Sequence, residues 1–439
     1  MKKTIKLAVV AALALGATSA FATNGSSLIG IGAKARGMGG TSIGVGHGAE
    51  SGLANPALIT TIKGNNEISF GGTLFLPDVK VHADTTFIGD PAASEQTSDA
   101  DIAVIPSVSL VSKVNDNFYW GIGMWGTGGL GVDYRDVDDS TFSMVTALQT
   151  MQFGVPLAYT NSGFSVGVTP IVQYSSLDIN YIQPNAFRDT TGFGGYNNMD
   201  GSIGTGVAQD LAFGVNIGLA YEISGFTVGA VYKSEIKFDT EDVMNTALNG
   251  FGVGPSNPYG MGTTIDEMAT PEEYGIGVSY TTGGHTLAVD YKMINWEDAE
   301  GYKEFGWEDQ DVIAVGYEYA TDTWALRCGY QYAESAVQDN SGKGLAIDNA
   351  HTANMVGYGM PFAGTGESLT NTFNLLGFPG TQESHITLGG SYAFNETLSM
   401  DLAAVYGLEN EETVKGFTSQ DIKSTHSEQS YSIQINYAF

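Results

Sequence analysis

The chain has 439 residues, of which 48 are Asp or Glu and only 18 are Lys or Arg, so its formal net charge is −30. A surface this acidic repels DNA and RNA phosphates, which excludes nucleic acid as a partner. The single cysteine, Cys328, excludes an internal disulfide framework. The 59 glycines and 22 tyrosines are typical of closely packed strands with aromatic girdles at the two membrane surfaces.

The N-terminus has the three parts of an export signal. Three lysines precede an apolar run at residues 7–17, and Ala20-Phe21-Ala22 supplies the small residues that a signal peptidase needs. We predict that residues 1–22 are a signal peptide and that the mature chain begins at Thr23. Loss of the three lysines leaves 15 basic residues against 48 acidic ones, a net charge of −33. No later stretch approaches the roughly 20 apolar residues of a spanning helix, so strands must do any membrane crossing.

The last nine residues, 431–439, alternate between apolar and polar or small side chains and end on an aromatic residue. Because successive side chains of a strand point to opposite sides, such a segment has one apolar and one polar face. A soluble sheet can use this pattern too, but here it recurs along an exported chain. It predicts fourteen strands, near residues 67–77, 101–113, 118–126, 151–160, 163–177, 209–222, 225–238, 271–281, 285–296, 310–320, 323–335, 384–394, 397–407 and 428–439.

The connections between these strands alternate between tight turns and long polar loops. Turn-forming residues fill the tight connections, which lie at 115–117, 161–163, 224–225, 283–284, 321–322 and 395–396. The long connections lie near 78–100, 127–150, 178–208, 239–270, 297–309, 336–383 and 408–427. An even number of strands with this asymmetry is typical of an outer-membrane barrel. The sequence therefore predicts an all-β fold, a 14-stranded antiparallel transmembrane β-barrel at residues 67–439.

Residues 23–66 precede the first strand, lack a sustained period and are rich in glycine. Fourteen strands enclose more space than their own side chains fill, so an unoccupied lumen would leak. We therefore interpret residues 23–66 as an N-terminal hatch, or plug, folded inside the barrel.

Motifs along the whole chain resemble, in order, those of the FadL/TodX family of outer-membrane transporters of long-chain fatty acids and hydrocarbons. The segment from Gly37-Met38-Gly39-Gly40 to Asn55-Pro56-Ala57-Leu58 resembles the hatch of that family, and Asn-Pro-Ala is its signature. Residues 119–131 resemble the family's third strand, and 232–238 its Tyr-Arg-Ser-Glu-Val-Lys strand end. Further resemblances lie at 324–330, 390–395 and 436–439.

The resemblance implies passive uptake of a hydrophobic small molecule, a fatty acid or an aromatic or aliphatic hydrocarbon, with lateral release into the membrane where the third strand kinks. Asn55, Pro56 and Ala57 are the hatch motif. Glycine permits bends and leaves wall space unfilled. The candidates for the lateral opening are Gly121, Gly123, Gly126, Gly128 and Gly129. Close strand packing explains these glycines equally well.

The chain departs from the family pattern in its loops. The loop at 336–383 is longer and contains apolar clusters, so we expect it to cap the entrance. The loops that form the family's outer groove do not align residue by residue. Arg188 and Lys303 are the basic residues nearest the expected mouth and are candidates to bind a substrate carboxylate. Ordinary solvated loop charges are the alternative explanation.

Two other classes of function stay open, a general porin for small solutes and an outer-membrane lipid hydrolase. The sequence Gly40-Thr41-Ser42-Ile43-Gly44 matches Gly-x-Ser-x-Gly but lacks the strand-turn-helix context of a nucleophile elbow. The six histidines have no metal-ligand spacing. We therefore predict no catalytic residue, no metal and no cofactor. The expected partners are the hydrophobic substrate, outer-membrane lipid and lipopolysaccharide, around a monomer in the outer membrane of a Gram-negative bacterium.

Overall fold

A computed structural model of the chain describes residues 24–83, 95–137, 141–182, 201–256, 262–357, 368–416 and 421–439. The predicted signal peptide and Arg188 lie outside these residues.

Fourteen antiparallel strands form one closed sheet. They are β1 Asn66–Ala83, β2 Ala103–Lys113, β3 Phe118–Asp133, β4 in two parts Val145–Gly154 and Leu157–Asn161, β5 Phe164–Ile182, β6 Ala208–Ile223, β7 Phe226–Lys233, β8 Glu273–Thr282, β9 His285–Ile294, β10 Gln310–Ala320, β11 Trp324–Ala333, β12 Ser384–Ala393, β13 Leu398–Lys415 and β14 Asp421–Ala438. Each strand pairs with the next, and β14 returns to β1 from Glu67↔Ala438 to Ala83↔Ile422. The predicted 14-stranded barrel is confirmed.

The alternation of the sequence becomes an apolar exterior and a polar interior. In β14, Tyr431 and Ile433 are 49% and 53% exposed, whereas Ser432 and Gln434 are 6% and 2% exposed. Aromatic side chains pair on the exterior near the tight turns, as Phe226 does with Tyr280 at a centroid distance of 4.4 Å. The exterior thus has the apolar band and the aromatic girdle of a barrel that faces lipid.

The tight turns have the geometry that their residues predict. Ser162-Gly163, Ser224-Gly225 and Gly283-Gly284 have positive φ at both positions, as two-residue hairpins require. In the turn before β3, the Asn115 side chain accepts hydrogen bonds from the backbone N–H groups of Asn117 and Phe118.

Several of the predicted strand ends are wrong. The largest difference concerns residues 408–427, predicted as a long loop, where β13 continues to Lys415 and β14 begins at Asp421. Both extensions are polar on both faces, as in Glu409-Asn410-Glu411-Glu412. A strand that rises above the bilayer needs no apolar face, so it loses the period by which the other strands are found.

Residues 24–65, here called the N-terminal segment, contact inward-facing residues on many sides of the barrel. They contain α1 Gly32–Gly37, a 3₁₀ helix Gly48–Glu50, α2 Ser51–Ala54 and a 3₁₀ helix Pro56–Thr61. Loops carry α3 Val243–Gly250, a 3₁₀ helix Lys303–Phe305, α4 Ala346–Gly357 and α5 Leu369–Gly377, and Ile236–Asp239 pairs with Glu267–Thr270. None of the helices in the described residues is long and apolar enough to cross a membrane.

Seven inward-facing glycines, here called the glycine stripe, let the N-terminal segment reach the barrel wall. A Cβ at Gly229 would lie 1.9 Å from the carbonyl oxygen of Ile43, and one at Gly329 would lie 2.2 Å from the nitrogen of Gly39. Every member would bring a Cβ within 3.0 Å of backbone or side-chain atoms of the N-terminal segment. The stripe is Gly167, Gly218, Gly229, Gly277, Gly316, Gly329 and Gly389. The wall and the segment are therefore in backbone contact across seven strands.

We predict that Gly329→Val prevents the N-terminal segment from packing on β11. Overpacking of this kind costs roughly 1–3 kcal/mol, and here the clash is with rigid backbone. Ion conductance across planar bilayers should show open events that the native protein lacks. Gly390→Val is the control, because a Cβ at Gly390 would make only ordinary van der Waals contacts, the nearest at 3.4 Å from the carbonyl oxygen of Ala325. Equal conductance of the two variants would contradict the prediction.

Candidate functional site

The predicted motif Asn55-Pro56-Ala57 forms a buried turn against β5 and β6. The Asn55 side chain donates from Nδ2 to the carbonyl oxygens of Ile43 (2.8 Å) and Leu219 (3.2 Å), and its Oδ1 accepts from the N–H of Ala57 (3.1 Å). Pro56 opens the following 3₁₀ helix, where a missing N–H costs nothing. Asn55 therefore joins two parts of the N-terminal segment to the barrel wall.

A second attachment point is Asp290 of β9, which is 4% exposed. Its carboxylate accepts from the backbone N–H groups of Ser42 (2.6 Å), Ile43 (2.7 Å) and Gly44 (3.2 Å). Successive backbone N–H groups that converge in this way favour an anion. The charge of Asp290 is thus stabilised by the N-terminal segment itself.

The third strand leaves the wall at its middle. Pairing between β2 and β3 ends at Ser107↔Trp125, whereas β3 and β4 stay paired to Asp133↔Val145, with a register shift between Gly126 and Gly128. Pairing stops beside Pro106, which has no N–H to donate. Exposed residues alternate along β3 only before this point, and Leu130 and Val132 are both buried. The upper half of β3 is therefore not paired with β2 until its end, where Asp133 bonds to Ser98 and Asp99. This unpaired stretch between β2 and β3 is here called the gap.

The start of the N-terminal segment occupies the unpaired edge of β3. Ser27 forms a β-bridge with Gly128, the N–H of Gly129 donates to Ser26 (3.0 Å), and the N–H of Leu28 donates to Thr127 (3.3 Å). Backbone groups that β2 leaves unpaired are thereby satisfied. The bond pattern depends on Gly128, since a Cβ there would lie 2.5 Å from the carbonyl oxygen of Ser26.

The five glycines proposed for a lateral opening divide into two groups. Gly126, Gly128 and Gly129 lie at the gap. Gly121 and Gly123 lie lower in β3, where β2 is still paired, and a Cβ at Gly123 would lie 2.0 Å from the ring of Trp125. These two glycines make room for neighbouring groups, as the packing explanation expects.

Loop aromatics surround the beginning of the N-terminal segment. Trp296, Tyr302 and Trp307 pack together with centroid distances of 4.6, 4.7 and 5.1 Å, and a Cβ at Gly25 would touch the Trp296 ring. Trp307 also donates from Nε1 to Asn374 of α5 at 3.1 Å. Helix α5 is buried over its whole length. The long loop that we expected to cap the entrance thus contacts the same aromatic cluster as Gly25.

A cavity, here called the central cavity, lies between the N-terminal segment and the inner wall. Its walls are mixed, with apolar groups such as Leu28, Ile43 and Val312 beside Gln152 and Gln331. The charged side chains pair with one another, since Lys233 lies 2.8 Å and Lys292 3.9 Å from Glu273. Apolar walls with a few polar groups are typical of sites that bind small molecules.

The sequence of residues 7–363 matches the family model described as outer membrane protein transport protein (OMPP1/FadL/TodX). The chain belongs to this family. The family resides in the outer membrane of Gram-negative bacteria, and the barrel described above is the form in which its chains cross that membrane.

Named relatives of this family cover most of the chain. A long-chain fatty acid transport protein of Escherichia coli O6:H1 is 26% identical over 80% of this chain and 79% of its own length. Outer membrane protein P1 of Haemophilus influenzae is 23% identical over 80% and 78%. Among solved structures, a Pseudomonas aeruginosa FadL homologue has a TM-score of 0.67 at 16% identity, covering 94% of this chain and all of the other. The Pseudomonas putida toluene transporter TodX has a TM-score of 0.64 at 17% identity, covering 94% and 99%. These structures share the fold.

The two cations proposed for a substrate carboxylate cannot both be placed, because Arg188 lies outside the described residues. Lys303 lies in the loop before β10, where its Nζ is 2.6 Å from Glu300 and 3.8 Å from Glu304. The hydrogen bond to Glu300 is the main cause of its raised pKa. Lys303 is therefore neutralised by adjacent loop carboxylates, the arrangement of an ordinary solvated loop charge.

Asp290 and the glycine stripe were not predicted from the sequence. Both leave a signal in the strand pattern: Gly167, Gly229 and Gly329 occupy positions where the alternation calls for inward side chains, and Asp290 is an acid at an inward position of β9. A glycine in the inward phase of one strand after another is the feature to look for. The same signal could not reveal which segment fills the space.

We predict that Asp290→Asn loosens the N-terminal segment around Ser42–Gly44. A hydrogen bond to a charged group contributes about 1.5–3 kcal/mol, so loss of the charge should speed amide exchange there by about tenfold or more. Hydrogen–deuterium exchange with mass spectrometry measures this rate. Asp311→Asn is the control, since Asp311 is exposed and bonds to the Tyr291 hydroxyl. Unchanged exchange in Asp290→Asn would show that the charge does not hold the segment.

Proposed function

We propose that this protein takes up hydrophobic small molecules through the outer membrane by passive diffusion and releases them sideways into the membrane. The single observation that carries this proposal is the gap between β2 and β3 beside a mixed apolar cavity. An apolar solute gains free energy when it leaves water for an apolar site, and again when it enters lipid. No energy source and no chemical step are needed, so the proposed function is not enzymatic.

In this proposal the N-terminal segment acts as the hatch. Asn55, Asp290 and the glycine stripe hold it against the wall, and its first residues lie on the edge of β3. A solute that reaches the central cavity therefore meets the segment before it meets the gap. Small movements of residues 26–31 would be enough to connect the cavity with the gap.

The substrate class follows from the relatives, whose names include long-chain fatty acid and toluene transport. We propose a long-chain fatty acid or a hydrocarbon as substrate, a monomer as the working unit, and outer-membrane lipid and lipopolysaccharide as its surroundings. A general porin for hydrophilic solutes is disfavoured by the close packing of the N-terminal segment on seven strands of the wall. The surroundings of Ser42 do not support a lipid hydrolase, because the backbone N–H groups of Ser42 and Ile43 already donate to the carboxylate of Asp290.

We predict that the double variant Asn55→Ala/Pro56→Ala assembles but takes up hydrophobic substrates slowly. Loss of buried hydrogen bonds worth about 1 kcal/mol each should lower the rate by at least about fivefold. The assay is uptake of radiolabelled dodecanoate and toluene by cells that produce the protein. The control is Asn161→Ala, in an exposed turn. Native uptake rates in the folded double variant would refute a role for the motif.

We predict that deletion of Thr127 closes the lateral gap. The deletion removes the extra residue between Gly126 and Gly128, so β3 can continue in register with its neighbours. Uptake of both substrates should fall to the level of cells without the protein. The matched control, Thr127→Ala, retains the extra residue and should retain uptake. Full activity of the deletion variant would rule out release through this gap.

A further inference from the structure

Arg36 differs from the other cations that the structure describes. Twelve of the fourteen described Lys and Arg residues have a carboxylate oxygen within 4.0 Å, and the exceptions are Arg36 and Lys63. Lys63 is exposed to solvent. Arg36, by contrast, is only 1% exposed. A buried cation without a counter-ion is costly unless an anion reaches it.

The protein satisfies only part of the Arg36 guanidinium. One terminal nitrogen, Nη2, donates to the Ser430 hydroxyl at 2.6 Å, and Nη1 reaches the Gly30 carbonyl oxygen at 3.5 Å. The Nε group has no partner. Burial lowers the pKa of Arg36 to about 10, so the side chain is still a cation at neutral pH. The acid with the strongest influence on it, Glu428, already accepts a hydrogen bond from His385 at 2.9 Å.

Arg36 lines a second, smaller cavity, here called the wall cavity. The wall cavity lies between the N-terminal segment and the inner side of β14, β1 and β2. Its lining combines apolar Leu28, Ile31 and Ile105 with polar Thr73, and it extends to Gly126. Gly126 is the residue at which β3 separates from β2. The wall cavity is therefore adjacent to the gap.

The wall cavity is separated from the central cavity by a short stretch of the N-terminal segment. Leu28, Gly30 and Ile31 line both cavities. The cations of the central cavity, Lys233 and Lys292, share Glu273, and Asp290 lines the same cavity, so these four formal charges sum to zero. On the far side of residues 28–31, Arg36 has no carboxylate oxygen of the described residues within 4.0 Å, and Glu428 acts on it only from a greater distance.

We propose that Arg36 binds the carboxylate of an amphiphilic substrate in the wall cavity, with the apolar tail along Leu28, Ile31 and Ile105 toward the gap. The planar guanidinium matches a carboxylate, which would give Nε its missing partner and Arg36 its missing counter-charge. This inference rests on the proposed function, because it assumes that substrate passes between the two cavities. It assigns the anionic head of the substrate to a residue of the N-terminal segment.

Equilibrium binding to the protein in lipid nanodiscs tests the assignment. The probes are radiolabelled dodecanoate and dodecanol, which differ mainly in the charge of the head. For Arg36→Gln we expect the Kd of dodecanoate to rise about tenfold, the loss of one charge-assisted contact, and the Kd of dodecanol to change less than about twofold. Arg36→Lys keeps the charge and should recover part of the loss. Lys63→Gln removes the other unpaired cation, in the same segment but exposed, and should change neither Kd.

A second variant leaves Arg36 in place, so its effect on binding does not depend on any contribution of Arg36 to folding. Ser107→Leu fills the wall cavity from β2 and should also weaken dodecanoate binding about tenfold, since head and tail lose their space. Equal weakening of dodecanoate and dodecanol by Arg36→Gln, or no weakening of either, would overturn the proposal. Dodecyl phosphate is the third probe. If Arg36→Gln weakens the binding of dodecyl phosphate more than that of dodecanoate, Arg36 is assigned to lipid phosphate and the proposal is overturned. Failure of the native protein to bind any probe would instead refute the proposed function.

Discussion

The structure depends on one constraint, that every backbone N–H and C=O group at membrane depth needs a hydrogen-bond partner inside the protein. Closure of β14 on β1 meets this requirement for most of the wall. The gap between β2 and β3 is one exception, and there Ser26, Ser27 and Leu28 supply the missing ladder. The break in strand pairing is therefore tolerated because residues 26–28 of the N-terminal segment take the place of a strand.

This replacement of a strand by the N-terminal segment explains why so many inward positions are occupied by glycine. Backbone can replace backbone only at close range, and a stripe without Cβ atoms brings the N-terminal segment within reach of seven strands. Asp290 and Asn55 then fix the segment at two points through hydrogen bonds to its main chain. One continuous segment thus separates the two cavities, lines both and covers the edge of β3.

The strand pattern predicted the barrel well wherever lipid is the neighbour. Lipid demands an apolar side chain at every second residue, as at Tyr431, Ile433 and Ile435, and this period is visible without coordinates. Prediction failed for residues 408–427 because aqueous solvent imposes no such period on β13 and β14 above the bilayer. The same prediction placed Gly121 and Gly123 at the lateral opening together with Gly126. The sequence does not show whether a glycine bends a strand or makes room for a neighbouring ring.

The sequence by itself determined the strand number, the closed sheet, the family and the motif Asn55-Pro56-Ala57, because each of these depends on local periods or on short ordered motifs. Only the tertiary structure decided which charges are neutralised and which are not. Lys303 and Arg36 look equivalent in the sequence, yet one lies between two loop carboxylates and the other is buried without one. The reason is that the electrostatic environment of a side chain is set by residues hundreds of positions away, such as Ser430 beside Arg36.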